Sequence, residues 1–333
     1  MRKISLLSLI CILIFCLSSC IEYPEFTTDS VFALDTVITV KANQENAEKN
    51  INETWDLIAG LDKMLSRTDE TGDLFAFNLS EGMCGLPDEL GEVITESVIL
   101  SLITGGAYDP TLAPVTDLWG ITTDHPRVPS DDEIKEALSH CGTDKLLVTG
   151  SGKHMFQRAD GKMKLDLGGS GKGYVCQRAT ELLSSHGGYG LVSFGSSIGV
   201  FGTKKDGSGW NIAITDPADP AKTLGFVTIP DGYISVSGDY ERYAVIDGVR
   251  YCHIIDPRTG RPVDNGVHSV VVWNHDGLEG DVISTALFVL GEDGIETLKD
   301  AGFDFEALII SDRGRTMTGG IEKIITFFGE NDG

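Results

Sequence analysis

Apolar and polar residues alternate along the chain with two different periods, which predict strands and helices in turn. Val31–Val40 alternates as a strand does, and Glu45–Leu65 places its apolar residues at helical spacing. Pro87 opens a second amphipathic helix, and Gly105–Gly106 ends it. The segment Tyr108–Gly120 is predicted to be a loop.

The remaining elements follow the same two periods. Ser130 and Glu133 are spaced as a capping box, which predicts a short helix. The chain from Gly190 to Asn274 reads mostly as strands, with hairpin turns at Lys205–Gly207 and Asp247–Gly248. The other predicted elements are strands at Lys145–Val148 and Met163–Leu167, helices from Gly168–Gly173 to about His186, from Asp281 to Leu290 and from Ile295 to Ala301, and a last hairpin near Asp312–Gly314. Runs of strands beside runs of helices indicate an α+β architecture.

A short apolar run near the N-terminus bears on where the folded domain begins. Arg2 and Lys3 precede apolar residues from Leu6 to Leu17, and Leu17–Cys20 match a lipobox. A membrane span needs about 20 apolar residues, so this run predicts a secretory signal peptide. In a lipoprotein the cysteine carries the lipid and becomes the first mature residue. Ordinary signal cleavage beside an incidental cysteine is the alternative.

These features predict three segments. Residues 1–19 are the signal peptide that is removed, residues 20–30 are a tether that begins with the lipidated Cys20, and residues 31–333 are a single folded domain. No later segment is long and apolar enough to cross a bilayer. We therefore expect an extracytoplasmic protein, anchored by acyl chains to a bacterial membrane and facing the periplasm.

The chain is strongly acidic. It carries 26 basic and 50 acidic residues, a net charge of −24, and loss of the signal peptide removes two of the positive charges. This charge argues against nucleic acid and anionic membrane surfaces as partners. A phosphate ligand would have to be bound locally, by a metal, by backbone amides or by a few placed cations.

The cysteines suggest no further chemistry. Those that remain in the mature chain besides Cys20 are Cys84, Cys141, Cys176 and Cys252. They are widely spaced and form no C-x-x-C pair, so neither a zinc site nor a disulfide framework is indicated. Buried free thiols are expected, with one disulfide left open.

A glycine-rich loop is the first candidate for chemistry. Asp166–Tyr174 has four glycines in the six positions 168–173, after a predicted strand and before a predicted helix. Glycines let a ligand approach the backbone, and free N–H groups at a helix N-terminus favour an anion. Lys172 could neutralise a phosphate. A tight turn without a ligand is the alternative.

The segment Ser235–Pro262 is the second candidate. It combines a predicted hairpin with several arginines, acidic residues and His253. Polar groups crowded at turns and strand ends are typical of sites presented by a scaffold. A salt-bridged surface hairpin explains the segment about as well, and a lone histidine is more often structural than catalytic.

The third candidate is a pair of oxygen-bearing side chains. Asp281 and Thr285 are four residues apart in a predicted helix and therefore share one face. A carboxylate, a hydroxyl and a backbone carbonyl together suit Mg²⁺, which keeps further positions for water and phosphate oxygens. An N-capping aspartate with an internal threonine is the structural alternative.

Taken together, these segments resemble the ApbE family, the extracytoplasmic FMN transferases that use FAD. The resemblance extends over essentially the whole mature chain. The strongest matches are Asp166–Tyr174, Ser237–Tyr243, His253–Gly260 and Asp281–Ala286, and the weaker ones are Leu34–Thr36, Tyr108–Thr111 and Leu118–Gly120. The resemblance implies an ApbE-like catalytic domain, with mostly antiparallel mixed sheets flanked by helices in two closely packed lobes.

The resemblance also implies roles for individual residues. His253 would activate the attacking hydroxyl, and Asp281 would be catalytic as a metal ligand. The implied Mg²⁺ ligands are the side chains of Asp281 and Thr285 and the main-chain carbonyls of Gly169 and Ser284. The implied FAD contacts are Leu34, Thr68, Leu118, Trp119, Gly120, Asp166, Lys172 and Ile255.

Three positions depart from the family pattern. Asp35 stands where glycine is usual, and Gly171 stands where alanine is usual. Thr68, placed by a looser alignment, stands where a tyrosine often covers the flavin. These departures bear on how tightly FAD is held more than on the chemistry.

The implied reaction is a Mg²⁺-dependent transfer of FMN from FAD to a threonine hydroxyl. The acceptor would be an extracytoplasmic electron-transfer protein, and AMP would be released. Water in place of the threonine gives FAD pyrophosphatase activity, with FMN and AMP as products. A lipoprotein that holds FAD without turning it over is a further, non-enzymatic alternative.

Overall fold

A computed structural model describes residues 26–149 and 154–329. The predicted signal peptide, the predicted lipidation site at Cys20 and most of the predicted tether lie outside the described residues. The final four residues of the chain also lie outside them.

Helices and strands cover most of these two ranges. The helices are α1 (Ala47–Leu65), α2 (Asp73–Leu79), α3 (Asp88–Ile103), α4 (Ala113–Trp119), α5 (Asp131–Ser139), α6 (Gly171–Ser185), α7 (Gly277–Leu290) and α8 (Gly294–Asp300). The first nine strands are β1 (Thr27–Ala33), β2 (Thr36–Asn43), β3 (Met83–Gly85), β4 (Leu146–Thr149), β5 (Met155–Arg158), β6 (Tyr189–Ser193), β7 (Ser197–Phe201), β8 (Trp210–Asp216) and β9 (Asp219–Ile229). The others are β10 (Gly232–Gly238), β11 (Tyr243–Ile246), β12 (Val249–Cys252), β13 (Ile255–Asp256), β14 (Arg261–Pro262), β15 (Val267–Asn274), β16 (Glu306–Ser311), β17 (Gly314–Met317) and β18 (Ile325–Phe327).

An eight-stranded sheet forms the centre of the fold. Its strands lie in the order β1-β2-β6-β7-β10-β15-β16-β17, and every neighbouring pair is antiparallel. Two three-stranded sheets, β18-β9-β8 and β3-β5-β4, accompany it, as do the short ladders β11-β12 and β13-β14. Helices and mainly antiparallel sheets in one chain confirm the predicted α+β class.

The central sheet is covered on both faces. Val270 and Val272 on β15 belong to one hydrophobic core, and Val271 between them belongs to another. Successive side chains of a strand point to opposite faces, so an unbroken apolar run fits a sheet buried on both sides. α6 and α7 pack on the first face, and α1 packs beside α6 and against β1 and β2, while β8, β9 and β18 pack on the second.

A third, smaller core joins the elements around one lobe. It contains Trp119 of α4, Ile134 of α5, Ala244 of β11 and Ile255 of β13. The Trp119 indole donates a hydrogen bond of 2.7 Å to the carbonyl of Gly260. The capping box of α5, between Ser130 and Glu133, forms as predicted.

The predicted single strand at Val31–Val40 is wrong, because the segment is a hairpin. β1 and β2 pair across a turn at Leu34 and Asp35, whose φ angles are 47° and 56°. Tight hairpin turns of this kind usually carry Asn or Gly, which tolerate a positive φ. Neither residue marks this turn, so the pattern concealed it.

Two further predicted elements differ. The predicted loop Tyr108–Gly120 contains α4. Met163–Leu167 joins no sheet and forms only an isolated bridge between Lys164 and Leu112, and the Asn78 side chain takes both backbone hydrogen bonds of Leu165. Asn78 donates 2.9 Å to the carbonyl of Leu165 and accepts 2.7 Å from its N–H.

The boundaries of α7 also need correction. The helix begins at Gly277 rather than Asp281, and the side chain of Asp276 caps it by accepting 2.8 Å from the N–H of Glu279. Asp281 is therefore not an N-cap but sits in the second turn. The turn at Lys205–Gly207 exists, but it joins β7 to β8 of another sheet and makes no hairpin.

In the parts of the chain that the structure covers, no helix combines the length and the apolar composition that a membrane crossing requires. The described cysteines are all free thiols, three of them buried.

Candidate active site

A cavity of about 1010 Å³ opens between the central sheet, the β1–β2 turn and the smaller lobe, which is the group of elements around the third core (α4, α5, β11 and β13). It is large enough for a nucleotide-sized ligand. The structure brings most of the predicted site residues to its walls. They are Leu34, Thr68, Asp166, Gly169, Lys172, His253, Ile255, Asp281 and Thr285.

Asp281 projects from the second turn of α7 and is buried. Its Oδ2 accepts 2.9 Å from the N–H of Gly173, and its Oδ1 accepts 3.3 Å from the hydroxyl of Ser197. Burial raises the pKa of the Asp281 carboxyl, while the positive charge of Lys172 opposes this rise. A cation bound at this carboxylate would therefore also favour its ionised form.

α6 and α7 approach each other closely beside Asp281. A Cβ atom at Gly173 would lie 2.1 Å from the carbonyl oxygen of Gly277 and 2.8 Å from the Cβ of Asp281. No side chain fits at that distance. Gly173 thus has a packing role within the glycine-rich loop, besides any approach to a ligand.

The residues beside Asp281 provide the oxygen donors that Mg²⁺ prefers. Thr285 lines the cavity one turn further along α7. The backbone of Gly169 is close to it, because a Cβ built on Gly169 would lie 3.4 Å from Thr285 Oγ1 and 3.0 Å from the ring of Tyr108. A carboxylate and a hydroxyl on one face of α7, beside the backbone of Gly169, are oxygen donors of the kind that the predicted metal site requires.

The side chain of Ser284 is already engaged. It forms a 2.9 Å hydrogen bond with the hydroxyl of Ser237 and donates 2.9 Å to the carbonyl of Asp281. Its hydroxyl is therefore not available to a ligand, and only its main-chain carbonyl was predicted to bind the metal. No cluster of three or more His, Cys, Asp or Glu that could hold a metal occurs within residues 26–149 and 154–329, so the predicted site rests on one carboxylate.

The glycine-rich loop carries two charged side chains into the cavity. Asp166 pairs at 3.0 Å with Nε of Arg67, and its other oxygen accepts 2.9 Å from the N–H of Gly168. Lys172, at the start of α6, forms no ion pair within the described ranges. Its charge acts on Asp281 and His253, whose pKa values it lowers.

His253 is held by a single acceptor. The carbonyl of Arg242 lies 3.1 Å from its Nδ1 and 3.0 Å from its main-chain nitrogen. A carbonyl only accepts, so Nδ1 carries the hydrogen and Nε2 keeps its lone pair. Burial first, and then the charge of Lys172, lower the pKa of His253 to about 4. The imidazole is therefore neutral at pH 7 and can accept a proton.

The predicted contacts at Leu118, Trp119 and Gly120 are not among the cavity walls. Trp119 is only 1% exposed and packs in the smaller lobe. Thr122 and Thr123, just beyond the turn, line the cavity instead. A role for Leu118–Gly120 in FAD binding stays a prediction.

Sequence reasoning did not single out several residues that line the cavity. Arg67 orients Asp166, and no pattern around it signals this. Glu241 lies within a motif that matched the family and was assigned no role, and Arg242 was expected only to help hold the shape of the Ser235–Pro262 segment. Removal from bulk water raises the pKa of the Glu241 carboxyl to about 7, and the charge of Lys172 opposes the rise.

The fold and the cavity define an α+β protein in which a glycine-rich loop with Lys172, the Asp281–Thr285 pair and a neutral His253 surround one space. The ApbE family model matches residues 34–309. The chain belongs to the ApbE family, as its sequence motifs indicated, and is a transferase.

Named relatives and solved structures agree. The FAD:protein FMN transferase of Treponema pallidum is 30% identical over 82% of this chain and 81% of its own length. The FAD:protein FMN transferase of Salmonella typhimurium is 30% identical over 83% of this chain and 84% of its own length. The crystal structure of the Thermotoga maritima ApbE protein matches with a TM-score of 0.84 and 30% identity over 90% of this chain and 99% of that one. The crystal structure of the apo flavinyl transferase ApbE of Pseudomonas stutzeri matches with a TM-score of 0.78 and 29% identity, over 90% of this chain and 96% of that one.

Proposed function

We propose that the protein transfers FMN from FAD to a threonine hydroxyl of an extracytoplasmic electron-transfer protein and releases AMP. The observation that carries this proposal is the convergence of His253, Lys172 and the Asp281–Thr285 pair on one cavity. Relatives of similar length are named FAD:protein FMN transferases. The proposal brings their substrate to this chain.

The glycine-rich loop binds the pyrophosphate of FAD. The ammonium of Lys172 faces the negative oxygens, because the N–H groups of Ser170 and Gly171 already donate to the carbonyl of Leu167 and that of Gly173 donates to Asp281. Leu34, Thr68, Asp166 and Ile255 contact the rest of the dinucleotide. The end of α4 at Leu118–Gly120 supports the same end of the cavity, because the carbonyl of Gly120 accepts 2.9 Å from the N–H of Thr123 on the cavity wall.

Asp281 and Thr285 hold Mg²⁺ with their side chains, and Gly169 and Ser284 contribute main-chain carbonyls. When bound, the ion supplies Lewis-acid stabilisation of the charge that develops on the departing phosphate. The buried position of Asp281 keeps water from competing for its carboxylate.

His253 acts as the general base. Its Nε2 takes the proton from the acceptor threonine, whose oxygen forms a bond to the FMN phosphorus. The bond from that phosphorus to the bridging oxygen breaks, and AMP leaves with the electron pair. The product is a phosphoester between FMN and the acceptor protein.

The acceptor meets the enzyme outside the cytoplasmic membrane. The lipobox at Leu17–Cys20 supports a lipid anchor at Cys20, which would hold the enzyme at the membrane where electron-transfer subunits reside.

Hydrolysis of FAD to FMN and AMP is the second candidate function. The cavity mouth is open to solvent, since the side chain of Asp35 on its rim is 83% exposed. Water can therefore reach the same phosphorus when no acceptor is bound.

Product analysis separates the candidates. The purified protein is incubated with FAD and Mg²⁺, with and without an acceptor protein, and its products are identified by mass. Transferase activity predicts AMP and flavin-bearing acceptor in equal amounts. AMP and free FMN formed faster without an acceptor than with one would favour the pyrophosphatase. FAD retained with no AMP formed would refute both.

A further inference from the structure

Arg242 connects the candidate base to the opposite rim of the cavity. Its carbonyl accepts both hydrogen bonds from His253, at 3.0 and 3.1 Å. Its guanidinium donates 3.1 Å to the carbonyl of Asp35 and lies 3.6 Å from the Asp35 carboxylate. The two ends of one residue thus contact two elements that are far apart in sequence.

The part of the rim that Arg242 contacts is the β1–β2 turn, whose backbone is held in place by hydrogen bonds. Leu34 and Asp35 have φ angles of 47° and 56°, and a leucine in this left-handed region is a true outlier. The N–H of Leu34 donates 3.2 Å to Oδ2 of Asp62 on α1. Such backbone strain persists only where surrounding contacts hold it, and it concentrates at functional sites.

We propose that Arg242 is a positioning residue for the transfer reaction, which it serves by tethering the carbonyl that orients His253 to the β1–β2 turn. The inference rests on the proposed function, in which Nε2 of His253 accepts the proton. Without the tether, the carbonyl and the imidazole both gain freedom. A displacement of about 1 Å at a reacting group costs roughly 10²-fold in rate.

The charge of Arg242 must be separated from its tether. Lys172 and Arg242 are the cations whose charges act on His253, and both lower its pKa. Arg242→Lys keeps the positive charge and can still reach the carbonyl of Asp35, whereas Arg242→Met removes both. Asp35→Asn keeps Arg242 and tolerates a positive φ, but it removes the carboxylate.

Steady-state kinetics of FMN transfer give the first test. For Arg242→Met we expect kcat to fall by about 10²-fold with little change in KM for FAD. Arg242→Lys should recover part of the loss, and Asp35→Asn should show a smaller loss in the same parameter. Arg261→Met is the matched control, because Arg261 pairs with Asp131 elsewhere in the same segment. It should behave as wild type.

Ring-nitrogen NMR of His253 gives a test that needs no turnover, with assignment by His253→Gln. Wild type should show the Nδ1-protonated tautomer, and Arg242→Met should show a mixture of tautomers. Wild-type kcat together with an unchanged tautomer in Arg242→Met would overturn the proposal. So would a rise in KM for FAD at constant kcat, which indicates a substrate contact. Absence of transfer by the wild type would refute the proposed function instead, while the tautomer still decides the role of Arg242.

Discussion

Burial and the charge of Lys172 both act on the pKa values of Asp281 and His253, which are shifted in opposite directions. Burial raises the pKa of the Asp281 carboxyl and lowers that of the His253 imidazole, so each group is shifted toward its neutral form. Lys172 opposes the first shift and reinforces the second. One cation near both groups thus favours an ionised metal ligand and a neutral base, the pair of states that the proposed reaction requires.

Thr285 allows an isosteric test of the proposed Mg²⁺ site. Thr285→Val removes only the hydroxyl, so Mg²⁺ binding by calorimetry should weaken and FAD turnover should fall. Asp281→Asn, which removes the only charged ligand, should abolish turnover. Thr285→Ser is the matched control and should retain most activity. Unchanged Mg²⁺ affinity in both Thr285→Val and Asp281→Asn would refute the assigned cradle.

The pH dependence of transfer tests His253. The base is active when neutral, and its pKa is lowered to about 4, so the rate should fall as the pH drops through about 4 and stay level above it. A fall in the transfer rate as the pH drops through about 6.5, the pKa of an exposed histidine, would contradict the lowered pKa of His253. His253→Ala should lower the transfer rate by about 10²–10⁴-fold, and unchanged transfer would leave His253 a structural residue.

At the scale of elements, the crossing of α6 and α7 sets the geometry of the site. The crossing places the N–H of Gly173 against the Asp281 carboxylate at 2.9 Å, and it leaves no room for a side chain at Gly173. The glycine-rich loop therefore serves packing and ligand approach together. Within the loop, the buried hydroxyl of Ser170 accepts a hydrogen bond of 2.9 Å from the hydroxyl of Tyr108, which holds the loop from the other side.

Two glycine substitutions separate packing from helix propensity. Gly173→Ala should lower the free energy of unfolding by about 1–3 kcal/mol and reduce turnover, because α7 and Asp281 must move. Gly60→Ala is the control, since Gly60 lies in α1 with open space around its Cβ position. It should raise that free energy by about 0.5–1 kcal/mol. Chemical denaturation measures both. Equal stability of the two variants would contradict the close approach.

Elements with strong local signals were predictable, and those set by tertiary contacts were not. The capping box at Ser130 defined α5 correctly. The β1–β2 turn was missed because Leu34 and Asp35 carry no turn signal, and their positive φ angles depend on contacts with Asp62 and Arg242. The motifs of the site could likewise be recognised in the sequence. The pairing of Arg67 with Asp166 could not, because the two residues are far apart in the sequence and meet only in the folded chain.

Across the whole molecule, His268 links the loop after β10, which contains Asp239, to the β16–β17 hairpin, which is distant in sequence. His268 on β15 contacts Asp239 at 2.8 Å and Asp312, at the β16–β17 turn, at 3.0 Å. Hydrogen bonds to Asp239 and then to Asp312 raise the pKa of His268. Asp239 also meets Arg250, at 3.7 Å, so charge holds this loop in the folded chain.

This link makes stability depend on pH. The folded-state pKa of His268 is raised, so its contribution is fully present below the unfolded-state pKa of about 6.5 and is lost as the pH rises through the folded value. Since His268 is partly exposed, the contribution should not exceed about 1 kcal/mol. His268→Gln should flatten the dependence of unfolding free energy on pH in that range. An unchanged slope in the variant would show that the contacts carry no net stability.

In the proposed reaction, one cavity binds FAD and transfers its FMN to a hydroxyl of an acceptor protein. The most direct measurement is mass analysis of an acceptor protein after incubation with the enzyme, FAD and Mg²⁺, beside an acceptor whose target threonine is replaced by valine. We expect the native acceptor to gain the mass of one FMN less one water at that threonine and to stay fluorescent on a denaturing gel, while the valine acceptor stays unmodified. An unmodified native acceptor, with FAD intact or converted only to free FMN and AMP, would contradict the proposed reaction.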